Sequence, residues 1–264
     1  MRSKLAKYAP LLRPLLHAND IFIDEDTPHL NGNYIGQAWC PTPTAVDRLR
    51  EVGTVLPAFP PLAVLRQVNH RSFNAALGQT LPDAAFVTSE VQLLAVAAAS
   101  RTTSWLLKRP FSFSGRHRLL CSLPPTKPQG RQWIDATFRL GDGVQMEPWV
   151  ERVVDCVQHG YIHPDGIVRL GNLAVQECDD RGAWQGTRLA ADGDISSADR
   201  TLLADSASHA AKALVGAGYF GPFGVDSFRW RDAAGQLHWN ARGEINARYT
   251  MGWHIGMGGW RPQL

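Results

Sequence analysis

Four polar residues near the end of the chain have the types and spacing for phosphate and metal chemistry: Asp226 in GVDSF, and Glu244, Asn246 and Arg248 in EINAR. In an extended strand, residues i and i+2 share a face, so Glu244 and Asn246 project a carboxylate and an amide oxygen side by side. Such oxygen-only pairs suit a hard divalent cation. Asp226 stands near the start of one expected strand, and Glu244 and Asn246 at the end of the next. A hairpin turning through Ala233, Ala234 and Gly235 would bring all three together. Two carboxylates facing one another repel and raise at least one pKa; a bound Mg²⁺ removes that penalty and keeps sites for water and phosphate oxygens. Taken alone, the triplet reads more readily as the solvated face of an edge strand, so the rest of the chain must decide.

A second group lies upstream. Lys108 ends the apolar run WLLK and precedes a loop of Ser, Gly, Arg and His at 112–118. On its own this lysine is a surface charge. A Ser/Gly loop beside a fixed cation can, however, cover polyphosphate with backbone N–H groups. The stretch MEPWV gathers Glu147, Trp149 and Val150. It is either a simple strand entry or a hinge whose backbone edge pairs with adenine while its apolar residues sandwich the base.

Other motifs carry less. GAGYFG at 216–221 matches G-x-G-x-x-G, but its glycines close a helix and lead into a strand, the reverse of a dinucleotide fingerprint. His159 and His163 lack helical surroundings and an HExxH glutamate, so they read as structural or surface residues. SFSG lacks the glycine of a nucleophile elbow. Cys156, in an apolar strand, reads as core.

The elements that must position these groups are mixed. The chain has 264 residues, 44% hydrophobic and 19% charged, with net charge +3: an ordinary globular composition with no polyanion footprint. Four scattered cysteines without C-x-x-C argue against a disulfide framework or a zinc site and for a reduced, cytoplasmic compartment. The N-terminal leucines are interrupted by Pro10, Arg13 and Pro14, and no apolar run is long enough to span a bilayer. IFIDED suggests a strand end. A helix is expected after Pro43, with Thr44 as its cap and Gly53 at its end. Residues 57–82 suit one helix or two separated near Asn69, and 84–100 a strand and then a helix. Residues 131–143 form an amphipathic helix ended by GDG, and 144–190 are strands with turns at 164–166 and 180–182. A strong helix follows, capped by Ser197, with Leu202, Leu203, Ala207 and Leu214 as its apolar face and Gly216 or Gly218 at its end. Strands joined as hairpins beside helices indicate α+β with antiparallel sheets.

The ordered set of lysine-ended strand, glycine loop, hinge glutamate, helix, GVDSF, hairpin and EINAR, over roughly residues 67–252, resembles the ATP-grasp superfamily. The resemblance implies two α+β subdomains that clasp ATP. A small lid would cover 67–145 and a large subdomain 146–264, after a shortened N-terminal segment at 1–66. By that comparison Lys108 touches the α/β-phosphates and Ser114, Gly115 and Arg116 lie in the covering loop. The region of Glu147, Trp149 and Val150 holds adenine, and Asp155, or with less support Glu151, takes the ribose. Asp226, Glu244 and Asn246 hold Mg²⁺, with Mn²⁺ as a substitute. Arg248 steadies the γ-phosphate or an acyl phosphate. Lys108 and Arg248 are thus the expected catalytic cations.

Departures accompany the resemblance. Arg71 of VNHRSF stands where the family usually has a lysine and is the expected nucleotide-binding cation there, keeping the charge but not the point-charge geometry. Ala247 replaces the proline of Glu-x-Asn-Pro-Arg, and the spacing to Asp155 is about one residue long. About 66 residues cannot hold a full N-terminal substrate domain, so a truncated chain, a homo-oligomer or a partner subunit supplying that surface is expected. Trp253 and His254 are placed either in the acceptor pocket or in ordinary packing. The implied activity is ATP- and Mg-dependent joining of a small carboxylate to an amine (or thiol) through an acyl phosphate. The alternative is an ATP-binding regulatory or scaffold subunit without catalysis. Nucleic acid and membrane are not expected partners, since an acidic triad is a poor surface for a phosphate backbone.

Overall fold

A computed structural model describes residues 16, 19–111, 117–179 and 184–263. The strand end expected in IFIDED is absent: Asp24 accepts from the Asp26 N–H (3.1 Å), and the Asp24 N–H donates to Thr27 Oγ1 (2.9 Å). These local bonds satisfy the backbone as a turn and compete with strand pairing. The first described helix, α1 (Pro43–Glu51), is capped by Thr42 rather than Thr44. Thr42 is extended and its hydroxyl accepts from the Ala45 N–H, while Pro43 takes the first helical position, where a missing N–H costs nothing.

Residues 62–76 form two helices, α2 (Leu62–Asn69) and α3 (Arg71–Ala76), broken at His70. The extended backbone of His70 ends the first, and its ring nitrogen accepts from the Ser72 N–H to start the second.

A four-stranded antiparallel sheet follows: β1 (Ala85–Val87), β2 (Trp105–Lys108), β3 (Arg118–Cys121) and β4 (Val144–Pro148), in the order β1-β4-β2-β3. Helices α4 (Glu90–Ala99) and α5 (Pro128–Arg139) bury Leu93 and Ile134 against Trp105, Leu107, Val144 and Met146. Strand alternation then sends Leu106, Lys108, Gln145 and Glu147 to the opposite face.

The second sheet has five antiparallel strands: β5 (Glu151–Ile162), β6 (Val168–Cys178), β7 (Trp184–Leu189), β8 (Gly221–Arg231) and β9 (Leu237–Asn246), in the order β7-β6-β5-β8-β9. One face buries Cys156, Val175, Val225 and Ile245 against α6 (Ser197–Gly216). The α6 cap is Ser196, one residue before the expected Ser197. Leu202 is not on the apolar face: it is 46% exposed, because the buried stripe steps through Leu203, Ala207, Ala210, Ala211 and Leu214. Gly218, at φ +79°, turns the chain into β8. The turn at 164–166 joins β5 to β6, whereas 180–182 lies outside the described residues. Against the other face of the sheet lies a short tail turn, α7 (Trp253–Gly256), whose Trp253 Nε1 donates to the Gly160 carbonyl (3.2 Å). Among the described residues, no helix is long and apolar enough to cross a membrane.

Candidate nucleotide and metal site

Cross-strand register fixes which side chains meet. Asp226 lies directly opposite Glu244 on β9 and Val157 on β5, while Asp155 lies opposite Gln176 on β6. Direct partners share a face, as do residues two apart. Gln176, Asp155, Asp226, Glu244 and Asn246 therefore all project away from α6. Gln176 Nε2 donates to Asp226 Oδ1 (3.3 Å), and Asn246 Nδ2 donates to Asp226 Oδ2 (2.9 Å). Arg248 in turn donates to Asn246 Oδ1.

The end of β9 is pinned from behind. Asn69, at the end of α2, accepts from the Ala247 N–H (3.0 Å) and donates to the Ala247 carbonyl (3.2 Å). Leu65 and Val68 of the same helix pack with Ile245 and Ala247. Position 247 is thus buried backbone whose N–H is used, a bond that a proline there would lack.

Lys108 and Glu147 face this group from the other sheet. The ammonium donates to both carboxylate oxygens (2.6 and 2.8 Å), and the side chains are only 17% and 7% exposed. The charge of Lys108 also favours the ionised forms of Asp155 and Glu244, which puts the two polar faces within electrostatic reach. Arg71 Nη1 pairs with Glu244 Oε2 at 2.8 Å, and Arg71 is itself buried. Glu244 lies low in pKa although burial opposes this, because Arg71, Lys108 and Arg248 outweigh it.

Asp226 behaves oppositely: burial, then the facing Glu244, push it up to about 7. A divalent cation between the two carboxylates would remove that penalty, so the donor set fits Mg²⁺. It consists of two carboxylates and the Asn246 amide, whose oxygen accepts from Arg248 in the ligand-free chain. Among the described residues no group of three His, Cys, Asp or Glu is placed to hold a metal.

The remaining expected residues are distributed around this centre. Trp149 is 45% exposed between β4 and β5, with its N–H bonded to the Ser104 carbonyl (2.9 Å) and Val150 beside it. Asp155 is raised by burial and paired with Arg152 (2.8 Å), whose guanidinium lies 3.8 Å from the Phe228 ring centroid. Glu151 is on the surface, paired with Arg231. Ser114, Gly115 and Arg116 lie outside the described residues. Sequence reasoning missed Gln176, Asn69 and Arg152. Asn69 and Gln176 reach the site only through long-range packing and register, and Arg152 meets Asp155 only because the register of β5 shifts between Arg152 and Val154, since residues three apart in a regular strand face opposite sides.

A broad cleft of about 3090 Å³ opens beside Glu244, Asn246 and Arg248, bounded by Trp39, Tyr249 and His254. The N-terminal segment forms one wall, tied by the Tyr249 N–H to the Trp39 carbonyl (3.0 Å) and by Tyr249 Oη to Gln37 Oε1 (3.1 Å).

No family model matches the chain, and no curated protein matches it by sequence. Solved structures match by fold. The biotin carboxylase of Campylobacter jejuni, as a β-γ-ATP complex, has a TM-score of 0.59 and 13% identity over 81% of this chain and 47% of that one. The biotin carboxylase domain of Hydrogenobacter thermophilus 2-oxoglutarate carboxylase, with MgADP, ADP and bicarbonate, has a TM-score of 0.57 and 15% identity over 84% and 52%. D-alanyl-alanine synthetase A of Vibrio cholerae has a TM-score of 0.51 and 16% identity over 76% and 61%. The chain thus spans about half to three fifths of these proteins. What they establish is the fold, the one the sequence resemblance implied.

Proposed function

We propose that this chain, which has the ATP-grasp fold, binds MgATP between its two sheets and uses it to join a small carboxylate to an amine (or thiol). The observation that carries the reading is the convergence of Lys108 and Glu147 on one sheet with Asp226, Glu244, Asn246 and Arg248 on the other. Neighbours of the same fold that hold MgADP or β-γ-ATP support a nucleotide at that seam.

In the first step a carboxylate oxygen attacks the γ-phosphorus, its bond to the ADP oxygen breaks, and an acyl phosphate forms. The amine nitrogen then attacks the acyl carbon, phosphate leaves with the C–O electrons, and the nitrogen loses a proton. Phosphoryl transfer demands mainly positioning and charge neutralisation. Lys108 leans on the α/β-phosphates, and Arg248, at the cleft, on the γ-phosphate or acyl phosphate. Asp226, Glu244 and Asn246 would hold the metal, and Asp155 would face the ribose. Bound Mg²⁺ supplies Lewis-acid neutralisation of phosphate oxygens. The cleft beside Arg248 receives the acceptor.

A second reading, an ATP-binding regulatory or scaffold subunit without catalysis, draws on the ion pair that engages Glu244 with Arg71. One experiment separates the two. The protein is incubated with MgATP, a panel of carboxylates including bicarbonate, and hydroxylamine as the amine, and ADP and hydroxamate are measured. Hydroxamate formed by wild type and lost in Lys108→Met, at a temperature where circular dichroism shows the variant folded, supports the ligase. Nucleotide binding with no ADP formed on any carboxylate supports the regulatory reading.

A further inference from the structure

Among the described residues, Arg71 makes contacts that a phosphate ligand would not need. Its Nη1 holds Glu244 Oε2 at 2.8 Å, its Nε donates to the Arg109 carbonyl at 3.0 Å, and its own N–H donates to the Pro110 carbonyl at 3.3 Å. Arg109 and Pro110 directly follow Lys108, so one side chain joins the end of β2 to the carboxylate on β9. Arg71 opens α3, fixed on one side by the His70 cap, and its side chain is only 8% exposed. Behind it, Asn74 of the same helix donates to the carbonyls of Arg242 and Gly243 (3.4 and 3.3 Å) and accepts from Arg242 Nε (3.0 Å). The guanidinium is therefore held in place by a helix bonded along β9.

We propose that Arg71 is a positioning residue of the metal site, which orients Glu244 and sets its distance from the strand bearing Lys108, and is not a ligand of the nucleotide phosphates. The planar fork explains arginine here: Nε and Nη point to two acceptors at once, whereas a lysine is a single point of charge. Hydrogen-bond partners behind a metal-ligating carboxylate commonly change metal affinity 10–100-fold when removed. The inference rests on the MgATP reading above.

The test is ADP binding followed by thermal shift while Mg²⁺ is titrated, on wild type, Arg71→Met and Arg71→Lys. The expected result is that Arg71→Met raises the Mg²⁺ concentration for half-effect about 10–100-fold, leaves ADP affinity at saturating Mg²⁺ within about threefold, and is partly restored by Arg71→Lys. Equal loss of ADP affinity at limiting and saturating Mg²⁺ would make Arg71 a phosphate ligand and overturn the proposal. A double-mutant cycle on Arg71→Met and Glu244→Gln, read by denaturant unfolding without ligand, tests the contact separately. Additivity overturns the positioning role even if ADP binds. A coupled cycle in a wild type that binds no ADP leaves the ion pair standing, but removes the MgATP reading and with it the metal-positioning role.

Discussion

Asp226 and Glu244 lie directly opposite one another on adjacent antiparallel strands, yet their acidities are driven apart: Glu244 is lowered by Arg71, and Asp226 is raised to about 7. The asymmetry follows from where the cations sit. Arg71 contacts Glu244, whereas among the described residues the hydrogen bonds to Asp226 come from the amides of Gln176 and Asn246, and the charges of Arg248 and Arg152 do not offset its burial.

That arrangement predicts a trade of stability for binding. A carboxyl whose folded pKa is raised contributes stability below its unfolded value, which is lost as pH rises through about 7. Asp226→Asn should therefore stabilise the ligand-free protein at pH 8, by about 1–3 kcal/mol after discounting for relaxation. It should also remove any Mg-dependent stabilisation by ADP. Urea unfolding at pH 8 with and without MgADP checks both.

Lys108 and Glu147 form a buried, doubly bonded pair. Removing either partner strands a charge in a dry setting, a loss of about 3–5 kcal/mol. Glu147→Leu should destabilise by that order, and Lys108→Met/Glu147→Leu together by clearly less than the sum of the two single changes. A double-mutant cycle on unfolding free energies reads the coupling.

His159 is fully buried, and burial holds its imidazole down to about 3, against an ordinary 6.5. The unfolded chain then binds the extra proton, so stability is intact above about pH 6.5 and falls on acidification, by up to roughly 1.4 kcal/mol per unit. His159→Gln should flatten that acid slope between pH 6 and 4, measured as unfolding midpoint against pH.

The tail turn is seated through glycines. A Cβ on Gly256 would lie 2.2 Å from His159 Nδ1, and one on Gly171 would lie 2.4 Å from the Gly256 carbonyl oxygen. Gly256→Ala and Gly171→Ala should each cost about 1–3 kcal/mol. Both should also speed amide hydrogen exchange in residues 249–260 ahead of the sheet.

Much of the fold was legible because its signals are local. Periodicity marked α6, and the apolar run ending in Lys108 marked β2. Alternation across GVDSF and EINAR placed Asp226, Glu244 and Asn246 on one face, as the β8–β9 register has it. The less legible features depend on contacts between distant segments. No local pattern shows that Glu147 turns its carboxylate to Lys108, that Asn69 pins Ala247 from 178 positions away, or that Arg71 spans two sheets. The helix caps were misplaced by one or two residues because Thr42 and Ser196 compete with equally suitable neighbours, and backbone geometry selects between them. The IFIDED turn was missed because Asp24 and Thr27 bond locally in a way that β propensity does not register.

The most direct test of the central claim is thermal unfolding with and without MgADP, on wild type and Glu244→Ala. At about a hundred times Kd, binding should add roughly 2.7 kcal/mol, a rise of about 5–10 °C for a chain of this size. The account predicts that rise in wild type, its loss without Mg²⁺, and its absence in Glu244→Ala. An unchanged wild-type midpoint, or a shift that persists in the variant, would contradict it.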